Sequence, residues 1–464
     1  MPFSINRRQI ILSSSAIAAS LALPRIALAS DEGGTATGVR YARRDQINNG
    51  EPIRLEYWEW SGQRAEYQRA WAEAYSEMYP NVEIEIVLQP WDSYWPSLIT
   101  NVPAGAGPAM WHMHASKMVE FCDGNLMDPI PDSVADADYL NHHWIGFPEG
   151  AMSCPGTGSL HTVPMGAMMP LLFINLDKWQ AAGLTEDDIP TTWDQLREVA
   201  ALLTERDGRN RITVAGLSMD GQEWLQNAVY QQGRYLFNAD GTQVQVQNPE
   251  YRAALQFIAD LVHTDGTLDN EIASQRYDGF AAGQSAMYIG FSWIAGFLRA
   301  NRPDMNWVAV LLPTPDGDLA PAYGNIRFAI EAAVNPFADE ATKDVAWDFW
   351  HFNYSRDDVI IEDLALFNGF LPPYDQVLGD PRVEGDVLAS TMSPAGGFGI
   401  INDLPNVVRD EQLELVTAVI LGQGDLDTLM ADSERAQNAL LAERDNWNII
   451  ERNYANHAMM IADQ

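Results

Sequence analysis

Ile53, Leu55 and Tyr57 alternate with charged or polar residues before Gly62 breaks the run. A period of two predicts a strand with one apolar face. Tyr67, Ala70, Trp71, Ala74, Tyr75 and Met78 then recur at the three-and-four spacing of one helix face, and Pro80 stops that helix. Val82, Ile84, Ile86 and Leu88 alternate again. A strand, a helix and a strand within about 35 residues imply a parallel pair joined by a crossover.

The same grammar returns downstream. Leu171 to Asn175 is a short apolar run, followed by a helix from Leu176 to Ala182. Thr192 and Gln195 form a capping box, and Trp193, Leu196, Ala200 and Leu203 lie on the buried face of the helix behind it. Asn248-Pro249 opens a further helix that Gly266 closes. Ala286 to Ile289 and Trp307 to Leu311 read as core strands, and the last hundred residues as mostly helical. The pattern is that of an α/β protein. Trp71, Trp179, Trp193 and Trp347 fall on apolar helix faces and are expected in the core.

The 464 residues, 47% of them hydrophobic, suffice for two or three domains or for two lobes. Acidic residues outnumber basic ones 64 to 28, a formal charge of −36. Nucleic acid is thereby excluded as a partner, because phosphate binding needs clustered cations. The charge otherwise bears on solubility more than on ligand. Arg7-Arg8 precede an apolar run ending near Leu23, and Ala27-Leu28-Ala29 offers a small-x-small cleavage site. Residues 1–29 therefore read as a signal peptide, of the Tat type by its twin arginines, with an ordinary Sec signal as the alternative. The run is too short and too polar to span a bilayer, so no membrane insertion is expected. The mature chain is expected to begin at Ser30, exported to the periplasm and soluble. Residues 30–50 are polar, glycine-rich and aperiodic, the pattern of a flexible leader. Cys122 and Cys154 are the only cysteines; in an oxidising compartment they could pair, or remain two buried thiols.

No GxSxG, HExxH, CxxC or phosphate-binding loop occurs. His112 and His114 would share one face of a strand, and His142 adjoins His143, but no third ligand is spaced with them, so no metal or cofactor is expected. The chemistry lies instead in aromatic residues at strand ends. Trp58-Glu59-Trp60 closes the first strand, and Trp91-Asp92-Ser93-Tyr94-Trp95 follows the second in what reads as a loop. Ser292-Trp293 follows a third strand, while Tyr323-Gly324-Asn325 and Asn368-Gly369-Phe370 are turn-like. Ligands of parallel α/β sheets bind at the carboxyl ends of strands. Indoles stack on the apolar faces of sugar rings, whose hydroxyls need polar partners.

Taken in order, these segments resemble the extracellular solute-binding proteins of ABC importers, the maltodextrin-binding-like group. The resemblance runs from Trp58-Glu59-Trp60 through Met78-Tyr79-Pro80-Asn81-Val82 and Leu172-Phe173-Ile174-Asn175. It continues through Pro190-Thr191-Thr192-Trp193-Asp194 to Phe280-Ala281-Ala282-Gly283 and Ser292-Trp293. It implies a type II periplasmic-binding-protein fold, with two α/β lobes hinged about a ligand cleft. One lobe would hold 51–164 plus 314–353, the other 165–313 plus 354–464. It implies that Trp58, Trp60, Trp91, Tyr94, His114 and Ser116 line the first-lobe side, with Glu59 and Asp92 beside them. Trp224 and Trp293 would face them from the second lobe, and Tyr323, Gly324, Asn325, Asn368 and Phe370 would lie near the hinge.

The function it implies is capture of a mono- or oligosaccharide and delivery to an ABC permease by a monomeric, non-enzymatic receptor. Two alternatives stay open. One is the same fold holding a polyamine between carboxylates and indoles; the other is a secreted glycan-active enzyme using Glu59 or Asp92. Lys117 and Arg327 keep an acidic sugar in view.

Overall fold

The computed structural model describes residues 41–443, except 115–116, 136–152, 155–156, 158, 163, 239–241, 319, 321, 323, 372–376, 378, 393–398 and 402–405. The expected signal peptide, His142, His143, Ser116 and Tyr323 lie outside the described residues, as does the side chain of Asn325.

The opening unit forms as its periodicity predicts. Strand β1 (Ile53–Glu59) lies parallel to β2 (Val82–Leu88), with Ile53 opposite Val82 and Glu59 opposite Leu88. Helix α1 (Gly62–Met78) joins them; Ser61 caps it, and Trp71, Ala74 and Tyr75 are buried on its inner face. β3 (Met110–His114) pairs parallel to β1 on its other side. Beyond it lies the long strand β10 (Gly324–Val334), antiparallel to β3 and to β4 (Pro164–Met168), and β11 (Gly399–Ile401) pairs parallel to the start of β10.

The second sheet runs β6 (Glu205–Arg206), β7 (Ile212–Met219), β8 (Ser285–Phe291), β5 (Pro170–Asn175) and β9 (Trp307–Leu311) in spatial order. β5 is buried along its whole length because both its faces are covered. Leu172 and Ile174 join a core with Trp193, Val214 and Leu255, whereas Leu171 and Phe173 face Phe280 and Ile294 on the other side. The Thr192–Gln195 capping box forms, and Trp71, Trp179, Trp193 and Trp347 are all buried. The architecture is thus α/β with two lobes, each built on its own sheet.

Two features depart from the sequence pattern, and one open question is answered. Met165–Met168 and Gly399–Ile401 belong to the first sheet, although both stretches were expected on the second side. The expected leader is docked from Tyr41 onward: its hydroxyl donates to Asp348 Oδ2 at 2.6 Å, Arg44 pairs with Asp344 at 2.6 Å, and Ile47 is fully buried. An irregular segment has no period to read, so its docking is invisible to pattern analysis. Cys122 and Cys154 are joined by a disulfide across 32 residues.

The chain passes between the lobes where β4 runs into β5 through Met169 and again between β9 and β10. Leu371 bridges back to Ala167, accepting and donating backbone bonds of 2.8 and 2.7 Å. The start of β10 comes so close to the second lobe that a Cβ on Gly324 would lie 2.7 Å from both Asn227 Oδ1 and Pro170 Cγ. Its φ of 150° and this approach leave room for glycine alone.

Candidate functional site

The end of β1 organises the first half of the site. Glu59 is fully buried, and its Oε1 accepts from the backbone N–H of both Trp60 and Ser61 at 2.9 Å. Gln68 Nε2 donates to Oε2 at 2.7 Å, and Arg64 Nε lies 3.6 Å away. His112, one strand over on β3, places Nδ1 2.9 Å from Oε1. Burial alone would raise this carboxyl, but the charge and hydrogen bond of His112, with Arg64 and the Ser61 N–H, bring it down to about 2. Glu59 is therefore ionised and can only accept, so Nδ1–H of His112 is the donor in their contact.

Above this network sits an aromatic cluster. The rings of Trp60 and His112 are stacked, with centroids 3.8 Å apart and planes 10° from parallel. Trp91, Tyr94 and Trp95 surround Trp60 with centroids 5.1, 5.1 and 5.2 Å away. His114 meets the edges of Trp91 at 5.5 Å and Trp60 at 6.2 Å. The two histidines thus share one face of β3, as strand alternation requires, and both are directed to indoles. Among the described residues, no group of three or more His, Cys, Asp or Glu could hold a metal ion.

Trp91 to Trp95 is not a loop. Pro90 stands at the N-cap of helix α2 (Trp91–Asn101), which carries Pro96 inside its second turn, so the prolines hid the helix. The helix turns Trp91, 42% exposed, and Asp92 outward and buries Tyr94 and Trp95.

Besides Glu59, five expected ligand contacts are used inside the protein instead. Tyr94 is fully buried, with Oη 2.9 Å from the Trp58 carbonyl and 2.8 Å from that of His112, so it ties β1 to β3. Trp224 is fully buried in the second core, stacked 4.3 Å from Phe257 and donating Nε1–H to the Ala254 carbonyl at 3.2 Å. A helix after a strand carries residues on both its faces, and Trp224 is on the inner one. Asn368 accepts from Gln63 Nε2 at 2.6 Å and donates to the Asp363 carbonyl at 2.5 Å. Phe370 is buried with the Arg64 guanidinium carbon 5.7 Å above its ring. Trp58 is also mostly enclosed, its Nε1–H given to Glu56 at 3.0 Å.

On the second lobe Trp293 stands just past β8, partly exposed, with the Tyr277 ring 5.0 Å away at 78°. Asp220, at the end of β7, caps the helix Gly221–Gln231 and pairs with Arg276 at 2.6 Å. Arg276 has φ 51° and ψ −136° inside the helix Asn270–Ala281, a strained conformation for any residue but glycine. Sequence reasoning missed Asp220, Tyr277 and Arg276; an aspartate capping a helix right after an apolar strand was the one available signal. Lys117, the expected cation for an acidic sugar, lies 3.3 Å from Glu120 and 5.8 Å from the Trp95 ring centre.

The two halves meet at Gln63. A Cβ on Gly296, in the helix that follows Trp293, would lie 2.5 Å from Gln63 Nε2 and 2.9 Å from Asn368 Cα. Two α/β lobes joined by several passages, with partly exposed aromatic residues at the ends of β1, β3 and β8, define a two-lobed solute-binding architecture. Residues 70–391 match the bacterial extracellular solute-binding proteins, and the chain belongs to that family.

The chain is 24% identical over 319 residues to a maltotriose-binding protein of Pyrococcus abyssi, a match covering 68% of this chain and 65% of that one. It is 22% identical over 245 residues to a lactose-binding protein of Rhizobium radiobacter, covering 51% and 52%. The chain thus spans less than two thirds of the length of these two relatives. In structure it is similar to an ABC transporter solute-binding protein of Thermotoga lettingae bound with α-D-tagatose. There the TM-score is 0.72 and the identity 20%, over 84% of this chain and 99% of that one. The GacH receptor of Streptomyces glaucescens, solved unliganded and with acarbose, gives 0.70 and 17% over 84% and 99%. At such identities the likeness concerns the fold.

Proposed function

We propose that the protein captures a carbohydrate, a mono- or oligosaccharide or a derivative, between its lobes and delivers it to an ABC transporter permease. The observation that carries this reading is the aromatic surface of Trp60, Trp91 and His114, matched by Trp293 and Tyr277 on the other lobe. Indole faces receive the apolar side of a sugar ring, and Asp92, Asp220 and Arg276 offer planar groups to hydroxyls. Relatives that bind maltotriose and lactose point the same way.

Capture is by closure. Contacts from both lobes form together only when the lobes approach, so the ligand shifts the open–closed balance by its differential affinity. A swing from mostly open to mostly closed takes about 5 kcal/mol, within reach of two stacked rings and several buried hydroxyl bonds. The receptor works as an exported monomer, with residues 1–29 as a Tat-type signal cleaved near Ala29. Among the described residues no helix is long and apolar enough to cross a membrane.

The bonding of Glu59 weighs against its own part in either alternative. Four hydrogen-bonding neighbours occupy its carboxylate, and with a pKa near 2 it holds no proton to give as a general acid.

Calorimetric titration of the chain from Ser30 with maltotriose, lactose, α-D-tagatose, glucuronate and putrescine tests the reading. A neutral saccharide binding with a Kd on the order of 1 µM is expected. Heat with putrescine alone would replace the ligand, and heat with none of the five would overturn the proposal.

A further inference from the structure

We propose that His112, held by Glu59, is the positioning residue of the ligand platform: it orients Trp60 and closes one face of its indole, leaving a single side of that ring for ligand. This rests on the carbohydrate reading of the same cleft. No side chain in this unit acts alone. The Glu59 carboxylate holds Trp60 twice, directly through its backbone N–H at 2.9 Å and indirectly through the ring of His112. His112 is 5% exposed, so its imidazole has no room to swing away. Its plane is set by the Nδ1–H bond to Glu59, and the indole lies parallel to it at 3.8 Å.

The physical consequence is pre-organisation. An exposed tryptophan at a strand end samples several rotamers, and ordering it on binding costs conformational entropy. Stacking on an immobile imidazole removes that freedom before ligand arrives. It also decides direction. A sugar ring can approach Trp60 only from the side away from His112, so Trp60 cannot be sandwiched between two sugar units. Glu59 and His112 touch no ligand in this scheme and act through Trp60. The sequence places the two partners 53 residues apart, on neighbouring strands.

Two variants separate positioning from plain support of the fold. His112→Gln keeps a donor for Glu59 and removes the ring. The double variant Glu59→Gln with His112→Phe restores a flat ring beneath Trp60 and removes the buried carboxylate charge. Near-UV circular dichroism of the unliganded protein reads the packing of the indoles. Titration with maltotriose, counted per folded molecule well below the melting midpoint, reads affinity.

We expect His112→Gln to change the near-UV signal in the same sense as Trp60→Leu and to weaken maltotriose at least tenfold. The double variant should recover affinity to within a few-fold of the parent. A His112→Gln protein with parental near-UV signal and parental affinity would overturn the proposal, as would failure of the ring-restoring variant to recover while it melts like the parent. If the parent binds no saccharide, the carbohydrate reading fails separately. The near-UV comparison then decides whether His112 orients Trp60, and an unchanged signal overturns that too.

Discussion

Asp363 is a carboxyl placed where ionisation costs stability. It lies in the helical segment Asp358–Phe367, and its Oδ2 accepts a 2.6 Å hydrogen bond from Trp71 Nε1 on α1. Burial, with the nearby charges of Asp358 and Glu362, outweighs the Trp71 bond and Arg356 and moves it from 3.8 to about 7. A group with a raised folded pKa contributes stability that is fully present below its unfolded value and is lost as pH rises through the folded one. Between about pH 4 and pH 7 the unfolded chain has already released this proton and the folded chain has not, so stability falls across that window. A displacement of about three units corresponds to about 4 kcal/mol at its full extent.

Asp363→Asn keeps an acceptor for Trp71 and removes the ionisation. The variant should match the parent near pH 4 and exceed it by about 2–4 kcal/mol at pH 8. Urea midpoints followed by tryptophan fluorescence at pH 4.5, 6 and 8 measure the difference. A gap that does not grow with pH, or a variant less stable than the parent at pH 8, would refute the reasoning. Asp363 would then be an ionised group stabilised by its partners.

Three further outcomes follow from the packing. Trp224→Ala should destabilise the protein by about 3–5 kcal/mol, because it opens a cavity in the second core, whereas Trp293→Ala should cost under about 1 kcal/mol yet abolish saccharide binding. Equal thermal shifts for the two would contradict their placement. Removing the Cys122–Cys154 bond by paired serine substitution should cost about 3–4 kcal/mol through the 32-residue loop it closes. A melting midpoint unchanged by mild reductant would count against that. Gly324→Ala should lower stability by about 1–3 kcal/mol, since the new methyl meets Asn227 and Pro170 in a backbone conformation that disfavours it; a neutral result in a urea melt would show that the passage between lobes relaxes freely.

Short-range pattern carried much of the architecture by itself. The β1–α1–β2 unit, the Thr192–Gln195 box and the burial of Trp71, Trp179, Trp193 and Trp347 all depend on neighbours two to four positions away. So does the presence of aromatic residues around the ends of β1 and β8. What those aromatics do was decided in three dimensions. Tyr94 and Trp224 look as available as Trp91 and Trp293 in the sequence, but helices turn the first two inward. Glu59 reads as an exposed acid beside two indoles until β3 brings His112 against it, and Arg64 and Gln68 complete the burial of its charge.

Tyr41 finds Asp348 across 307 positions, and Cys122 finds Cys154 across 32. Periodicity reports which side of an element is apolar, because that is a property of consecutive residues. Which distant element covers that side, and which polar groups it brings, is settled only by packing; here that packing buries Glu59 and His112 and leaves Trp60 half-buried and Trp91 exposed.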